Sequence, residues 1–122
     1  MKESLGHLGE QLARDHLIAK GYAIREMNAR IGHLEIDIVA MHANRIVFVE
    51  VKTRTASSPH PLDAITPRKI QRLCTAADAY VRAHNIPHQV QFDVIAIIIA
   101  PDGSHSIEHI PDAFFPPLRT YR

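Results

Sequence analysis

With a single cysteine, Cys74, the 122-residue chain cannot form an internal disulfide or assemble a zinc site from several thiolates. That suits a reducing cytoplasm. No apolar run approaches the roughly 18 residues a membrane span needs, and the opening MKESLGHLGEQLARD carries acids early and no unbroken apolar stretch. The expectation is a soluble cytoplasmic protein with no signal peptide and no membrane segment. Excess charge is missing too, since a net charge of +1 does not by itself mark a nucleic-acid binder. There is no internal repeat, no low-complexity tract and no linker long enough to separate domains. Residues 1–122 therefore read as one domain, large enough for a real core without disulfides or structural metal. Nine histidines invite a metal hypothesis, but no two stand four apart within a helical stretch. His105 and His109 share a face of a short strand yet lie about 13 Å apart by strand rise. The histidines read as mostly surface residues, and His33 and His60 matter only because they flank the segment that follows.

What is present centres on Leu34 to Arg54, LEIDIVAMHANRIVFVEVKTR. Two β-branched, aromatic-rich runs, 34–41 and 46–54, are broken by His42-Ala43-Asn44-Arg45, the pattern of a β-hairpin. If Met41 pairs with Ile46, Asp37 falls opposite Glu50 and Glu35 opposite Lys52, and alternation sends all four to one face. Otherwise both faces are apolar. Ile36, Ile38 and Ala40 join Val47, Val49 and Val51 on one, and Val39 and Met41 join Ile46 and Phe48 on the other. Such a hairpin belongs in the middle of a sheet covered on both sides. Two facing carboxylates there need compensation, because burying an unpaired carboxylate costs several kcal/mol or forces it to protonate. A divalent cation would remove that cost, and Lys52 part of it. A one-residue slip of register would separate Asp37 from Glu50 altogether.

The flanking sequence supplies the rest of an α/β domain. A helix is expected over about 4–20, with Ser4 as N-cap, Gly21 as terminator and an apolar stripe of Leu5, Leu8, Leu12 and Ala19 with Ala13 nearby. Glu10 lies inside it beside Gly9. It is either a solvated helix glutamate or, if Gly9 allows a close approach, a third carboxylate facing the hairpin. Tyr22 to Ala29 reads as a first strand, and Ile31-Gly32-His33 as a flexible lead into the hairpin. Thr55 to Pro61 is a loop placed to close over a ligand, and Leu62 to Ile65 a short helical turn. Thr66 caps a helix that begins at Pro67 and runs to about His84, burying Ile70, Leu73, Cys74, Ala77 and Val81. Cys74 is on that face as a small core residue. Gln89 to Ala100 is a third, central strand, and His105 to Ile110 an edge strand beyond a turn at Pro101–Ser104. Asp93 within the third run reads as a structural hydrogen-bonding residue. The aromatic pair Phe114 and Phe115 in the proline-rich tail should pack on the body or on a second subunit. Charge is unevenly spread: from Lys52 to Arg72 the segment carries +4, which leaves −3 for the remainder. Arg68, Lys69 and Arg72 crowd the start of a helix, where the dipole disfavours cations, and this points to contact with a polyanion.

The spacing of Asp37, twelve residues, then Glu50-Val51-Lys52 on a strand hairpin resembles the signature of the PD-(D/E)XK nuclease superfamily. More closely, the chain resembles the YraN family of small bacterial proteins. The residues that carry this are Gly6-His7-Leu8-Gly9-Glu10, Gly21-Tyr22, Asn28 with Arg30, Glu35-Ile36-Asp37, Val47 to Arg54, Thr66 to Lys69, and Phe92-Asp93-Val94. The layout is also similar to that of archaeal Holliday-junction resolvases. Ile36 stands where many superfamily members have proline, and Leu34 where the YraN pattern often has glycine.

The resemblance implies a restriction-endonuclease-like core: a mixed sheet of four or five strands with the N-terminal helix on one face and helix 67–84 on the other. It further implies that Asp37 and Glu50, with the Val51 carbonyl and Glu10, hold Mg²⁺ or Mn²⁺ for phosphodiester hydrolysis, with Lys52 at the nucleophile or scissile phosphate. Arg30, Arg54, Arg68, Lys69 and Arg72 would hold the backbone of structured or branched DNA by shape. By analogy with enzymes that cut both strands of a junction, a homodimer is compatible with this reading. The alternative is a non-catalytic nucleic-acid-binding or scaffold protein that keeps the fold, in which Asp37–Lys52 and Glu50–Arg contacts are internal ion pairs. Whether Glu10 joins Asp37 and Glu50 discriminates the two, because three carboxylates around one point are hard to explain without a cation.

Overall fold

The computed structural model describes residues 4–57 and 59–114. Helix α1 (Leu5–Ala19) is followed by strands β1 (Ala23–Ile31), β2 (Leu34–His42) and β3 (Arg45–Thr55), a 3-10 turn at Pro61–Ala64, helix α2 (Pro67–His84), and strands β4 (Gln89–Ile99) and β5 (His105–Ile110). The five strands form one mixed sheet in the order β1-β2-β3-β4-β5, antiparallel except for the β3–β4 pair, which α2 connects. That parallel crossover is the one step no tight turn can make.

Local chemistry accounts for the boundaries. The Ser4 hydroxyl accepts from the His7 N–H at 3.1 Å, and Gly21 at φ +93° ends α1. Thr66 caps α2 through the Lys69 N–H at 3.2 Å, and Asn85 in the left-handed region closes it. The β2–β3 hairpin has the expected register, Met41 with Ile46 and Ile38 with Val49, and its turn residues Ala43 and Asn44 have φ of +51° and +65°. A two-residue turn of this hand matches strand twist, which pins the register. Gly32-His33 turns β1 directly into β2, so the expected lead-in is itself a hairpin, and Ile31 belongs to the strand. After β3 the Ala56 N–H donates to Ile99 O at 3.0 Å, tying the start of the loop to β4.

Each face of the sheet carries a core. On the α1 side Ala13, Leu17 and Tyr22 pack on Ile38, Ala40, Val47, Val49, Val51, Ile95 and Ile97; on the α2 side Leu73, Ala76, Ala77 and Tyr80 pack on Ala29, Ile36, Val39, Ile46, Phe48 and Phe92. Two expected faces are corrected. The buried stripe of α1 is Gly9, Ala13 and Leu17 rather than Leu5 to Ala19, with Leu5 and Ala19 exposed. In α2 the stripe turns towards Ala76 and Tyr80, leaving Ile70, Cys74 and Val81 half-buried, because the Tyr80 hydroxyl is held by Arg25 and Glu26 of β1, both at 2.9 Å. Phe114 stacks on Phe92 with centroids 5.0 Å apart. Ser58 in the loop, and Phe115, Pro116 and Pro117 in the tail, lie outside the described residues.

Candidate active site

Strand β2 is shared between two hairpins, and the site arises where they part. Its ladder with β3 runs only from His42 to Ile38, whereas its ladder with β1 continues to Leu34. Alternation also breaks there. Asn28 in β1 adopts φ +50°, and the pairs flanking it, Met27 with Ile38 and Ala29 with Ile36, pack into opposite cores. Ile36 therefore lies on the α2 side, against the expectation that it shares a face with Ile38. A left-handed residue rotates the strand about its own axis, and no period-two pattern contains that information.

In the resulting gap the Asp37 Oδ2 accepts the Val51 N–H at 2.8 Å, so a side chain replaces the missing ladder bond. Asp37 forms no ion pair with Lys52 or any other described residue. Glu50 lies beside it, with Lys52 Nζ 3.9 Å from the Glu50 carboxylate and both side chains about one-fifth exposed (21% and 20%). Burial, then the charge of Glu50, pushes the Asp37 carboxyl up to about 7, with Glu10 adding to the shift and the Val51 N–H opposing it. Glu50 is also raised, chiefly by burial, against the pull of Lys52 and Lys69.

Glu10 reaches this place from α1. Gly9 makes that possible, because a Cβ at position 9 would run into Thr53 Oγ1 of β3. The Glu10 carboxylate accepts from Asn28 Nδ2 at 2.9 Å, and its charge raises both Asp37 and Glu50. Three carboxylates from α1, β2 and β3 are thus in electrostatic contact. As they stand, no group of three His, Cys, Asp or Glu side chains among the described residues is drawn tightly enough to form a ligand set. Asn28 entered the sequence reading only as part of the family resemblance, with no role at the site, although asparagine is enriched among non-glycine residues of the left-handed region and that was the available signal.

On the α2 side, Glu50 shares a cleft of about 210 Å³ with His33, Glu35, Lys69 and Arg72. Lys69 faces Lys52, and that contact, burial and Arg54 lower its pKa. Glu35 pairs with Arg30 in the β1–β2 ladder rather than standing opposite Lys52, since β2 has already left β3 at that point. Arg54 is half-buried and donates to the Thr53 carbonyl at 3.3 Å. Arg30 and Arg68 are exposed and do not line the cleft. His33 does flank the site. His60 does not; it caps the 3-10 turn and approaches Glu108 at 3.8 Å.

The match to known proteins follows this frame. The model of the uncharacterised protein family UPF0102 matches residues 9–97, from Gly9 through the carboxylates to β4. The chain belongs to UPF0102. A UPF0102 protein of Bacteroides fragilis is 46% identical over 115 residues, covering 93% of this chain and 94% of the relative. One from Chlorobium phaeobacteroides is 45% identical over 118 residues, covering 90% and 93%. Among solved structures, Archaeoglobus fulgidus Hjc, a Holliday junction resolvase, superposes with a TM-score of 0.51 at 17% identity, over 88% of this chain and 78% of that one. At that identity the likeness is one of fold. UPF0102 is the YraN family of the sequence resemblance, and the resolvase-like α/β architecture is the one expected from it.

Proposed function

We propose that this UPF0102 protein is a divalent-cation-dependent nuclease that hydrolyses phosphodiester bonds of structured or branched DNA. The observation that carries the reading is the burial of Asp37 and Glu50 side by side at the β2–β3 gap, within electrostatic reach of Glu10 from α1, with no ion pair to Asp37 among the described residues. Sheets do not ordinarily hold carboxylates this way, since Glu10 raises the cost of ionising both Asp37 and Glu50, and Glu50 that of Asp37. The donor set fits Mg²⁺ or Mn²⁺, hard cations that take carboxylate and carbonyl oxygens: Asp37, Glu50, Glu10 and the Val51 carbonyl would hold the ion. A bound ion supplies Lewis-acid stabilisation of the phosphoryl oxygens and makes water a nucleophile at neutral pH. Lys52, beside Glu50, contacts the scissile phosphate or orients the nucleophile, and Arg54, Lys69 and Arg72 hold flanking phosphates. Arg30 and Arg68 serve arms of the substrate further from the centre. Among the described residues no element is positioned to read base edges, which favours recognition by shape. The resolvase neighbour supports a branched substrate, and cleavage of both strands would use a homodimer.

The test is calorimetric titration with Mn²⁺, with and without a four-way DNA junction, on the wild type, Asp37→Ala and Glu50→Ala, followed by a cleavage assay. Binding lost in both variants, with junction cleavage at least 100-fold slower, is expected. A wild type that binds no Mn²⁺ even with DNA present, yet retains the junction, would make this a non-catalytic DNA-binding protein.

A further inference from the structure

Away from the carboxylates, the β2–β3 turn, the end of α1, the start of β4 and the end of β5 border a second, open cleft of about 550 Å³. Arg45 in its wall is five residues from Glu50 along β3, about 17 Å by strand rise. The cleft rests on a rigid base. Asp93, fully buried, accepts from Tyr22 Oη at 2.8 Å, Gln91 Nε2 at 2.8 Å and the Asp112 N–H at 2.9 Å, and it faces His109 Nε2 at 2.8 Å. An ionised carboxylate only accepts, so His109 carries its hydrogen on Nε2 and the ring is fixed in orientation. Beside it the rings of Tyr22 and His42 stack at 4.0 Å and 7°, both lining the cleft.

Two cations border the same cleft. Lys20 and Arg45 line the cleft, and neither has a carboxylate within ion-pair reach among the described residues; Arg45 Nη1 meets only the Gln91 amide oxygen, at 3.4 Å. Asp112 is the acidic residue in the wall. We propose that this cleft binds a phosphomonoester carried on a group of nucleotide size, with Lys20 and Arg45 holding the phosphate.

The charges argue for phosphate, because an arginine fork matches two phosphate oxygens and a lysine adds a point charge. Volume argues for a larger ligand than the inorganic ion, since clefts of several hundred Å³ accommodate whole small molecules. The half-buried His42, backed by the buried Tyr22 ring stacked on it, gives a planar ring an aromatic surface. Asp112 repels a run of phosphates and so favours a single terminal phosphate over a polyphosphate or a continuous backbone. A free nucleoside monophosphate and the 5′-phosphorylated end of a DNA strand share this chemistry.

The test uses the full chain in EDTA, which silences the carboxylate site. AMP, adenosine, and a thymidine tetranucleotide with and without a 5′-phosphate are titrated by calorimetry, and the amide shifts of residues 42–45 and 91 are followed by NMR. AMP should bind at least tenfold more tightly than adenosine. Lys20→Gln and Arg45→Gln together should remove at least tenfold, and Asp37→Asn should bind as the wild type does. A phosphorylated tetranucleotide tenfold tighter than AMP would support the site as one for a strand end, and the reverse order would support a free nucleotide. The proposal is overturned if phosphate adds no affinity, if the double variant binds normally, or if the shifts map to the carboxylate cleft. Because the expected result needs neither metal nor cleavage, its failure is separate from that of the nuclease reading.

Discussion

At Asp37, folding and the proposed function pull in opposite directions. Burial and the neighbouring Glu50 push its carboxyl up to about 7 without metal, so between about pH 4 and 7 the folded state holds a proton that the unfolded state has released. Stability from this group is therefore greatest below the unfolded pKa and declines as pH rises towards 7. In EDTA at pH 8, Asp37→Asn should melt at a higher temperature than the wild type, by about 1–3 kcal/mol in stability, while losing Mn²⁺ binding. Thermal melts from pH 4 to 8 check the sign: the wild type loses stability across that range relative to the variant. Asp93 shows the opposite behaviour. Burial pushes it up, but His109, Gln91, the Asp112 N–H and Tyr22 together outweigh that and hold it below the usual carboxylate range. Its contribution is intact above about pH 4 and lost as acid carries the protein through the depressed folded value. Asp93→Ala leaves those donors without their acceptor and should cost about 3 kcal/mol or more by urea unfolding.

Two small residues in different elements decide whether Glu10 reaches the site. Gly9 lets α1 lie directly on Thr53 of β3, with no room for a methyl group. Gly9→Ala should cost about 1–3 kcal/mol through overpacking and shift Glu10 outward, so Mn²⁺ affinity should fall by more than a surface substitution on α1 such as Asp15→Ala would cause. Asn28 does two things in β1: it takes the left-handed conformation that rotates the strand, and it holds the Glu10 carboxylate. Glycine can do only the first. Asn28→Gly should therefore keep a melting temperature within a few degrees of the wild type and still weaken Mn²⁺ binding several-fold. Asn28→Val should lose both, since a β-branched residue is strained at this φ.

For the whole molecule, a net charge of +1 conceals an uneven distribution of charge. Lys52, Arg54, Lys69 and Arg72 gather around the β3–α2 end near three carboxylates. If the protein binds DNA as proposed, its affinity should fall with salt, and removing Lys69 or Arg72 should reduce the slope of log K against log salt by about 1 each, with similar loss for any base sequence. Fluorescence anisotropy at several salt concentrations measures this. A sequence-dependent loss would mean that these side chains read bases.

Much of the architecture was legible locally. Ser4, Thr66 with Pro67, and the paired hydrophobic runs around Asn44 marked their elements, because caps, fixed φ angles and tight turns act within a few residues of chain. The hairpin register followed, and with it the neighbourhood of Asp37, Glu50 and Lys52. Other features depended on contacts between distant segments. The histidines looked superficial by spacing, yet His109 lies almost fully buried on Asp93 with His16 edge-on at 5.2 Å, because β5 docks against β4 across from α1. Glu35 fell opposite Arg30 instead of Lys52, Asn28 joined the site through Glu10 and Tyr80 took over the α2 face for the same kind of reason. The sequence by itself determined which segments become helix and strand and which charges share the central hairpin, since those are set by short-range sterics and periodicity. Only the tertiary structure decided that α1 brings Glu10 within electrostatic reach of Asp37, because that depends on the β2–β3 separation and the Gly9–Thr53 contact between elements more than forty residues apart in sequence.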